Sequence, residues 1–560
     1  MLVRAFLGFC WSDESFYIST ADRFYRGAVP FVDEWFRTQM SSLIMVPFYA
    51  VYVLITGGNA GIVLYFRLLY LLFCTAVAFV FFRVLRKEYP DPVAVICSLF
   101  IMCYAHLNNA TLSYYMMSEL FLGLALILIY DYANTSSKAE LIVAGVSLAL
   151  SVQSMPLFVI GYVIVMFAVI TVLLISKFAG GNSGLKKITD DLKLFDITVY
   201  TTIGVAVVAA VFAVFMISRA DLRTLFETLP EALVDNEHSN TWGYYIRKPH
   251  RCLTDVFGVY VTYAAYILIA VSFVFQKYLK RYPFCEIVTA LDTVLFAVMT
   301  YLSFGHTGYI QVVFFICMIP VFFVSEKKNN RLFWLFVIPS GLVSVIYSFA
   351  SSDFLYVIAI GCALGTSAGV CAIHDHASSD VRGGRALMAL AVITLLVTFM
   401  LRLTNVYRDA PVHRLTQRIT RGVAAGLYTT DEHLAQYNDV YDVIEEYCND
   451  PAGRIIFSKI LPWGYLEAAQ SCGFPTTWRT TAYDDGQLEK FYDINPDLRP
   501  DIIVVLDDEY GSYDASGDVE DDHEPNKGEL GEYWKEYIDA NDMTKLSVTC
   551  GHIYRRKEKE

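Results

Sequence analysis

Two pairs of acidic residues lie near the start of this 560-residue sequence. Asp13 and Glu14 directly follow the apolar segment MLVRAFLGFC, and Asp33 and Glu34 come twenty positions later. A partly desolvated carboxylate can accept the proton of an incoming hydroxyl, which is general-base chemistry. Paired carboxylates can also hold a divalent cation, although two are few ligands without help from a phosphate. The structural alternative is that Ser12 or Asp13 caps a helix and the other acids are solvated.

A basic cluster could bind a phosphate group. Arg247, Lys248, His250 and Arg251 lie within five positions, just before an apolar segment. Charge that develops on a phosphate is stabilised by cationic groups and hydrogen-bond donors, so these residues are candidates for a phosphate clamp. The alternative is an anchor to anionic lipid headgroups, to which each Lys or Arg contributes about 1 kcal/mol.

Arg67 and His306 are two further candidates for phosphate binding. Arg67 lies at the start of an apolar segment, and a charge at the middle of a membrane helix costs about 2.5 to 3.5 kcal/mol. We therefore expect a partner for Arg67, which is an acid of the first loop, such as Asp33 or Glu34, in a structural role or a bound phosphate in a functional one. His306 lies in the short loop SFGHTGY on the same expected side, with a structural role as its alternative.

The elements that position these residues are expected to be membrane helices. Hydrophobic residues make up 56% of the chain and charged residues 18%, with a mean hydropathy of +0.44, which excludes a soluble globular protein. A spanning helix needs about 20 apolar residues, and the segment 1–10 is too short to span. Twelve windows have suitable length and composition: 61–82, 92–108, 114–131, 139–153, 155–176, 196–217, 256–276, 285–304, 309–324, 332–349, 354–373 and 386–403.

The basic residues of the connections predict the orientation. The apolar segment 43–55 is only 13 residues long and contains Pro47, so we interpret it as interfacial or re-entrant. With that choice, 16 Lys and Arg residues fall in connections on one side, and the short connections opposite contain none. The pattern predicts a multi-pass plasma-membrane protein whose residues 12–60, 218–255 and 404–560 are extracytoplasmic.

The net charge of −13 comes entirely from the C-terminal part of the chain. Residues 403–560 contain 31 Asp and Glu and 16 Lys and Arg, a net charge of −15, while the preceding residues carry +2. No basic nucleic-acid footprint is present, so a polynucleotide partner is not expected. The segments RIIFSK and DIIVVL are typical of buried strands, and GLYTTDEHLAQYNDVYDVIEEYCND is typical of a capped helix. Residues 404–560 should therefore form a soluble α/β domain.

Several of these features together resemble the GT-C membrane glycosyltransferases. They are DE-x2-Y-x3-A from Asp13 to Ala21, the Gly27-x2-Pro30 turn, the short apolar segment 43–55, and Arg67 at the start of the next span. The closest resemblance is to family 39-like enzymes of the protein O-mannosyltransferase and aminoarabinose-transferase type, over roughly residues 1–330. The resemblance implies a thirteen-span layout and a polyprenyl-phosphate sugar donor. It also implies that a first-loop Asp activates the acceptor hydroxyl, which makes Asp13 the candidate base and Glu14 the alternative.

The expected fold class is an all-α polytopic membrane protein with about 12–13 spans and a C-terminal soluble α/β domain. Residues 1–403 should form the GT-C-like catalytic domain, acting on a glycan, lipid or protein hydroxyl at the bilayer surface. The sequence indicates no certain cofactor, and a divalent cation stays an open alternative. The rival interpretations are a non-enzymatic exporter of a lipid-linked glycan and a sensor whose acidic domain binds a partner.

Overall fold

In the computed structural model, residues 1–103, 109–178, 193–234, 329–350, 356–378, 406–458, 460–511 and 530–557 are described, together with isolated positions between them. The expected spans 256–276, 285–304 and 309–324 lie outside the described residues, as does most of 386–403.

The other apolar windows form helices close to their expected bounds. Apolar side chains dominate these helices. The α-helix α1 comes before them in the chain. Within the described part of the first 378 residues, the α-helices longer than eight residues are α1 Asp13–Tyr25, α2 Met40–Thr56, α3 Ile62–Leu85, α4 Asp91–Cys103, α5 Tyr114–Thr135, α6 Lys138–Ser154, α7 Phe158–Phe178, α8 Leu194–Arg219, α9 Leu222–Ala232, α10 Ile338–Ala350 and α11 Tyr356–Ser378. A π-helical turn at Phe333–Val337 leads into α10.

Four of the described helices are long and apolar enough to cross a membrane. These are α3, α5, α7 and α8, which contain 21 to 26 residues each. The segment 43–55 belongs to α2, whose 17 residues extend only about 26 Å at 1.5 Å per residue. That length is below the roughly 30 Å of a hydrocarbon core. The total of 12–13 spans stays a prediction.

The environment of α1 differs from the expectation. In the sequence, Tyr17, Ala21, Phe24 and Tyr25 follow i, i+4, i+7/i+8 spacing, which predicts a helix lying flat on the membrane. Eleven of the thirteen residues of α1 are instead buried inside the protein. Its small polar residues face the C-terminal domain, where Ser19 Oγ donates to Thr477 Oγ1 at 2.9 Å. Helical spacing indicates which face is buried, but it does not distinguish burial by lipid from burial by protein.

The C-terminal region contains the expected α/β domain. Its helices are α12 Asp431–Tyr447, α13 Pro462–Glu467, α14 Asp485–Ile494 and α15 Glu532–Ala540, and its strands are β1 Gln417–Arg418, β2 Tyr428–Thr429, β3 Arg454–Phe457, β4 Ser471–Cys472, β5 Ile502–Leu506, β6 Thr544–Val548 and β7 Gly551–Arg555. Strands β1 and β2 pair separately, and the five-stranded sheet has the order β4-β3-β5-β7-β6. RIIFSK and DIIVVL supply the parallel neighbours β3 and β5, and β7 joins β5 antiparallel.

This domain packs directly on the first 63 residues. Trp35 N donates to Pro475 O at 2.7 Å, and Asn59 Nδ2 donates to Leu466 O at 2.7 Å. The end of α9 also contacts the domain. The first loop and the end of α9 therefore both contact the C-terminal domain.

Candidate functional site

The segment that precedes α1 is fixed to the C-terminal domain. Phe9 N donates to Asp409 Oδ2 at 2.7 Å, and Gly8 N donates to Tyr428 O at 2.7 Å. Gly8 has a φ of +76°, and a Cβ there would lie 2.0 Å from Cγ1 of Val406. Only glycine combines this backbone conformation with such a close approach. These contacts determine where α1 begins.

Asp409 is the central acceptor of this attachment. It also accepts from Thr429 Oγ1 at 2.9 Å and lies 3.3 Å from Nδ1 of His433, which stacks on Trp11 at 5.1 Å. Burial opposes ionisation, but His433 and the backbone donors outweigh it and hold the pKa of Asp409 below its usual value. The sequence analysis did not identify this network, because its members are up to 400 positions apart.

Asp13 is the first residue of α1 and remains partly exposed, with 24% of its side chain accessible. Tyr407 OH donates to Asp13 Oδ2 at 2.9 Å, and Arg408 Nε lies 3.5 Å from the same oxygen. Arg408 Nη1 also donates to Ser12 Oγ at 2.7 Å. The side chain of Ser12, the residue preceding the helix, makes no capping hydrogen bond. The Asp13 carboxylate is thus oriented by Tyr407 and Arg408 of the C-terminal region and is still accessible.

Glu14 and Arg67 form a buried ion pair. Arg67 Nε donates to Oε1 at 2.5 Å and Nη2 donates to Oε2 at 2.7 Å, with side-chain exposures of 5% for Arg67 and 1% for Glu14. Arg67 Nη1 also donates to the carbonyl oxygens of Ala5 and Leu7, at 2.9 and 3.2 Å. The structural partner of Arg67 is therefore an acid of the first loop, as expected, but it is Glu14 rather than Asp33 or Glu34, the two examples expected from the sequence.

Two further arginines lie beside this ion pair. Arg4, in the short 3-10 helix Val3–Phe6, donates from Nη1 to Leu7 O at 2.7 Å, the same oxygen that Arg67 contacts. Arg402 donates from Nη2 to the hydroxyl of Tyr70, at 3.1 Å. Both arginine side chains are 4% exposed. We call Arg4, Arg67 and Arg402 the arginine cluster.

The three guanidinium groups of the arginine cluster affect one another. Burial, together with the positive charges of Arg67 and Arg402, lowers the pKa of Arg4 to about 9. Cations brought together in this way favour the approach of an anion. Arg4 and Arg402 were not identified from sequence, although each is a basic residue beside an apolar segment, which is the signal that identified Arg67.

The second acid pair has structural contacts. Glu34 accepts from Arg23 Nη1 at 2.9 Å, and Asp33 Oδ2 accepts from Val29 N at 2.6 Å within its own turn. Burial raises the pKa of Glu34 to about 7, although the Arg23 guanidinium opposes this shift. These contacts favour the structural interpretation over acceptor or metal binding. Within the described part of the chain, no group of three His, Cys, Asp or Glu residues could hold a metal ion.

Most residues of the expected phosphate clamp lie outside the described part of the chain. Lys248, His250, Arg251 and His306 lie outside the described residues. Arg247 is an isolated described position, helical and exposed. The expectation that these residues meet Asp13 at one edge of the bilayer stays a prediction.

A small apolar cavity of about 10 Å³, room for about one water molecule, lies between α2, α3 and α5. Its lining residues are Ile44, Met45, Phe48, Phe73, Leu112, Met117, Leu120 and Phe121. Close to this lining, the ring of Tyr114 packs 5.7 Å from the ring of Tyr17, which lies one turn after Asp13 on α1.

Comparison of the chain with protein-family models gives no match, and comparison with curated proteins gives no significant match. The function must therefore be inferred from the side chains at the site.

Proposed function

We propose that this protein is a membrane glycosyltransferase that moves a sugar from a polyprenyl-phosphate donor to a hydroxyl acceptor on the extracytoplasmic face. One observation carries the proposal: the accessible Asp13 carboxylate adjoins Glu14, which is bound to the buried arginine cluster. Such a transfer needs a base for the acceptor and cations for the leaving phosphate. Asp13 and Glu14, which binds Arg67, are consecutive residues of α1.

In the proposed reaction, Asp13 accepts the proton of the acceptor hydroxyl. The hydroxyl oxygen forms a bond to the anomeric carbon while the bond from that carbon to the phosphate oxygen breaks. The carrier phosphate leaves with the electron pair, and the positive field of the buried arginine cluster stabilises its added charge without direct contact. A single displacement inverts the configuration at the anomeric carbon.

The environments of the first two acids support different roles. Both oxygens of Glu14 are bound by Arg67, and its side chain is 1% exposed, so it has no free path to an acceptor hydroxyl. Asp13 is 24% exposed. Asp13 is therefore the proposed base, and Glu14 positions Arg67.

The composition of the helices supports a lipid-linked donor. Helices α3 and α5 are long and apolar enough to cross a membrane. The carrier's hydrocarbon chain would lie in the bilayer while its phosphate lies at the polar end of these helices.

The test is to incubate the purified full-length protein with a panel of polyprenyl-phosphate sugars and to measure released carrier phosphate. Asp13→Asn should lower the rate by about 100-fold or more, which is the contribution of a general base. Asp91→Asn is the matched control, because Asp91 also begins a helix but is 63% exposed and distant in sequence. Full activity of Asp13→Asn would reject the assigned base. Movement of intact donor across vesicles without phosphate release would favour the exporter.

A further inference from the structure

Helix α9 begins immediately after the candidate span α8. Only Ala220 and Asp221 separate the two helices, and Asp221 Oδ1 caps the second by accepting from Thr224 N at 2.9 Å. The chain therefore emerges from α8 and turns at once into an eleven-residue helix.

One face of α9 is apolar and exposed. At 3.6 residues per turn, positions 222, 226, 229 and 233 fall within a narrow stripe that continues just past the helix end. Its members are Leu222, Phe226, Leu229 and Leu233, with exposures of 56%, 74%, 37% and 53%. We call these four residues the apolar stripe.

The other two faces of α9 have different environments. Thr228 and Ala232 are completely buried against the protein. Glu231, which lies between this face and the face of Arg223 and Glu227, accepts from Lys490 of the C-terminal domain at 2.6 Å. Arg223 and Glu227 form an exposed ion pair at 2.9 Å. On a helical wheel, the three faces lie roughly 120° apart.

We propose that α9 lies in the membrane interface, with its apolar stripe inserted at the boundary between lipid headgroups and acyl chains. A helix at the junction of protein, lipid and water needs one face for each, and α9 has three such faces. The stripe also continues the lipid-exposed surface of α8, where Val211, Val214 and Ile217 are 61% to 69% exposed.

Apolar burial drives this insertion rather than charge. Helix α9 and its cap contain three acidic residues and one basic residue, Arg223, so anionic headgroups are not favoured. Because Lys490 binds Glu231, insertion would also set the height of the C-terminal domain above the bilayer.

The test uses the full-length protein in nanodiscs that contain lipids brominated near the glycerol end of the acyl chain. Phe226→Trp and Glu227→Trp place the same indole on adjacent positions of different faces. After subtraction of the native tryptophan signal, bromolipid should quench the Phe226→Trp probe at least about twofold more than the Glu227→Trp probe. Aqueous acrylamide should show the reverse order.

Equal bromolipid quenching of the two probes would overturn the proposal. So would protection of the Phe226→Trp probe from both quenchers, because that result would mean that a protein partner or a second copy covers the stripe. If either substitution lowers the melting temperature, Leu229→Trp and Arg223→Trp provide an independent pair on the same two faces. None of these outcomes depends on catalytic activity.

Discussion

Replacing Arg67 with methionine removes the guanidinium that binds Glu14 and keeps an unbranched side chain in its place. Four hydrogen bonds are lost, two to Glu14 and one each to the carbonyl oxygens of Ala5 and Leu7. The Glu14 carboxylate is 1% exposed, so water cannot replace these contacts without opening the site. Breaking a buried ion pair in this way typically costs about 3–5 kcal/mol, which is the expected loss of unfolding free energy.

A thiol-reactive dye in detergent solution can measure the effect, because Cys10 is 2% exposed and should react only when the N-terminal segment opens. The double variant Glu14→Gln, Arg67→Met leaves no unpaired charge, so its loss should be smaller than the sum of the single losses. The expected coupling is about 0.5–3 kcal/mol.

Arg86→Met is the matched control for this series. Its partner Asp91 lies 3.6 Å away, and the two side chains are 49% and 63% exposed. Exposed pairs contribute at most about 1 kcal/mol, so this variant should unfold almost normally. Equal melting temperatures for Arg67→Met and Arg86→Met, or strictly additive losses in the double variant, would refute the reasoning.

Two further predictions concern stability. Gly8 and Gly57 share a φ of +76°, but a Cβ added at Gly8 would meet Val406 and one added at Gly57 would meet nothing. Gly8→Ala should therefore lower the free energy of unfolding by at least about 1 kcal/mol more than Gly57→Ala, as measured by denaturant unfolding. Equal losses in the two variants would contradict this. Burial raises the pKa of Glu467 to about 7 from 4.5, so the stability that this group adds is complete below pH 4.5 and is lost as the pH rises through 7. Glu467→Gln should remove that dependence in melting curves between pH 4 and 8, and an unchanged profile would count against the shift.

The secondary structure was largely predictable because its signals are local. Apolar windows indicated the described helices within a few residues, and RIIFSK and DIIVVL indicated β3 and β5. The sheet order was not predictable, since β7 comes between β5 and β6 through a pairing that the strand pattern does not encode.

The site was only partly predictable, because its contacts join distant positions. The cost of a buried charge indicated that Arg67 has a partner, but not which carboxylate the fold brings to it. Tyr407 and Arg408 reach Asp13 from almost 400 positions away, and no spacing rule in the first loop indicates them. The resemblance to GT-C enzymes indicated Asp13 itself, and its role stays a prediction.

The hydrogen bond from Phe9 to Asp409 has a consequence for biosynthesis. At 5–20 residues per second, a ribosome needs roughly 20–80 s to translate the 400 positions between these residues. During that interval the N-terminal segment has been synthesised without the acceptor that fixes it. The segment before α1 therefore reaches its final position only late in synthesis. A ribosome stalled before residue 409 leaves a polypeptide in which this hydrogen bond cannot form.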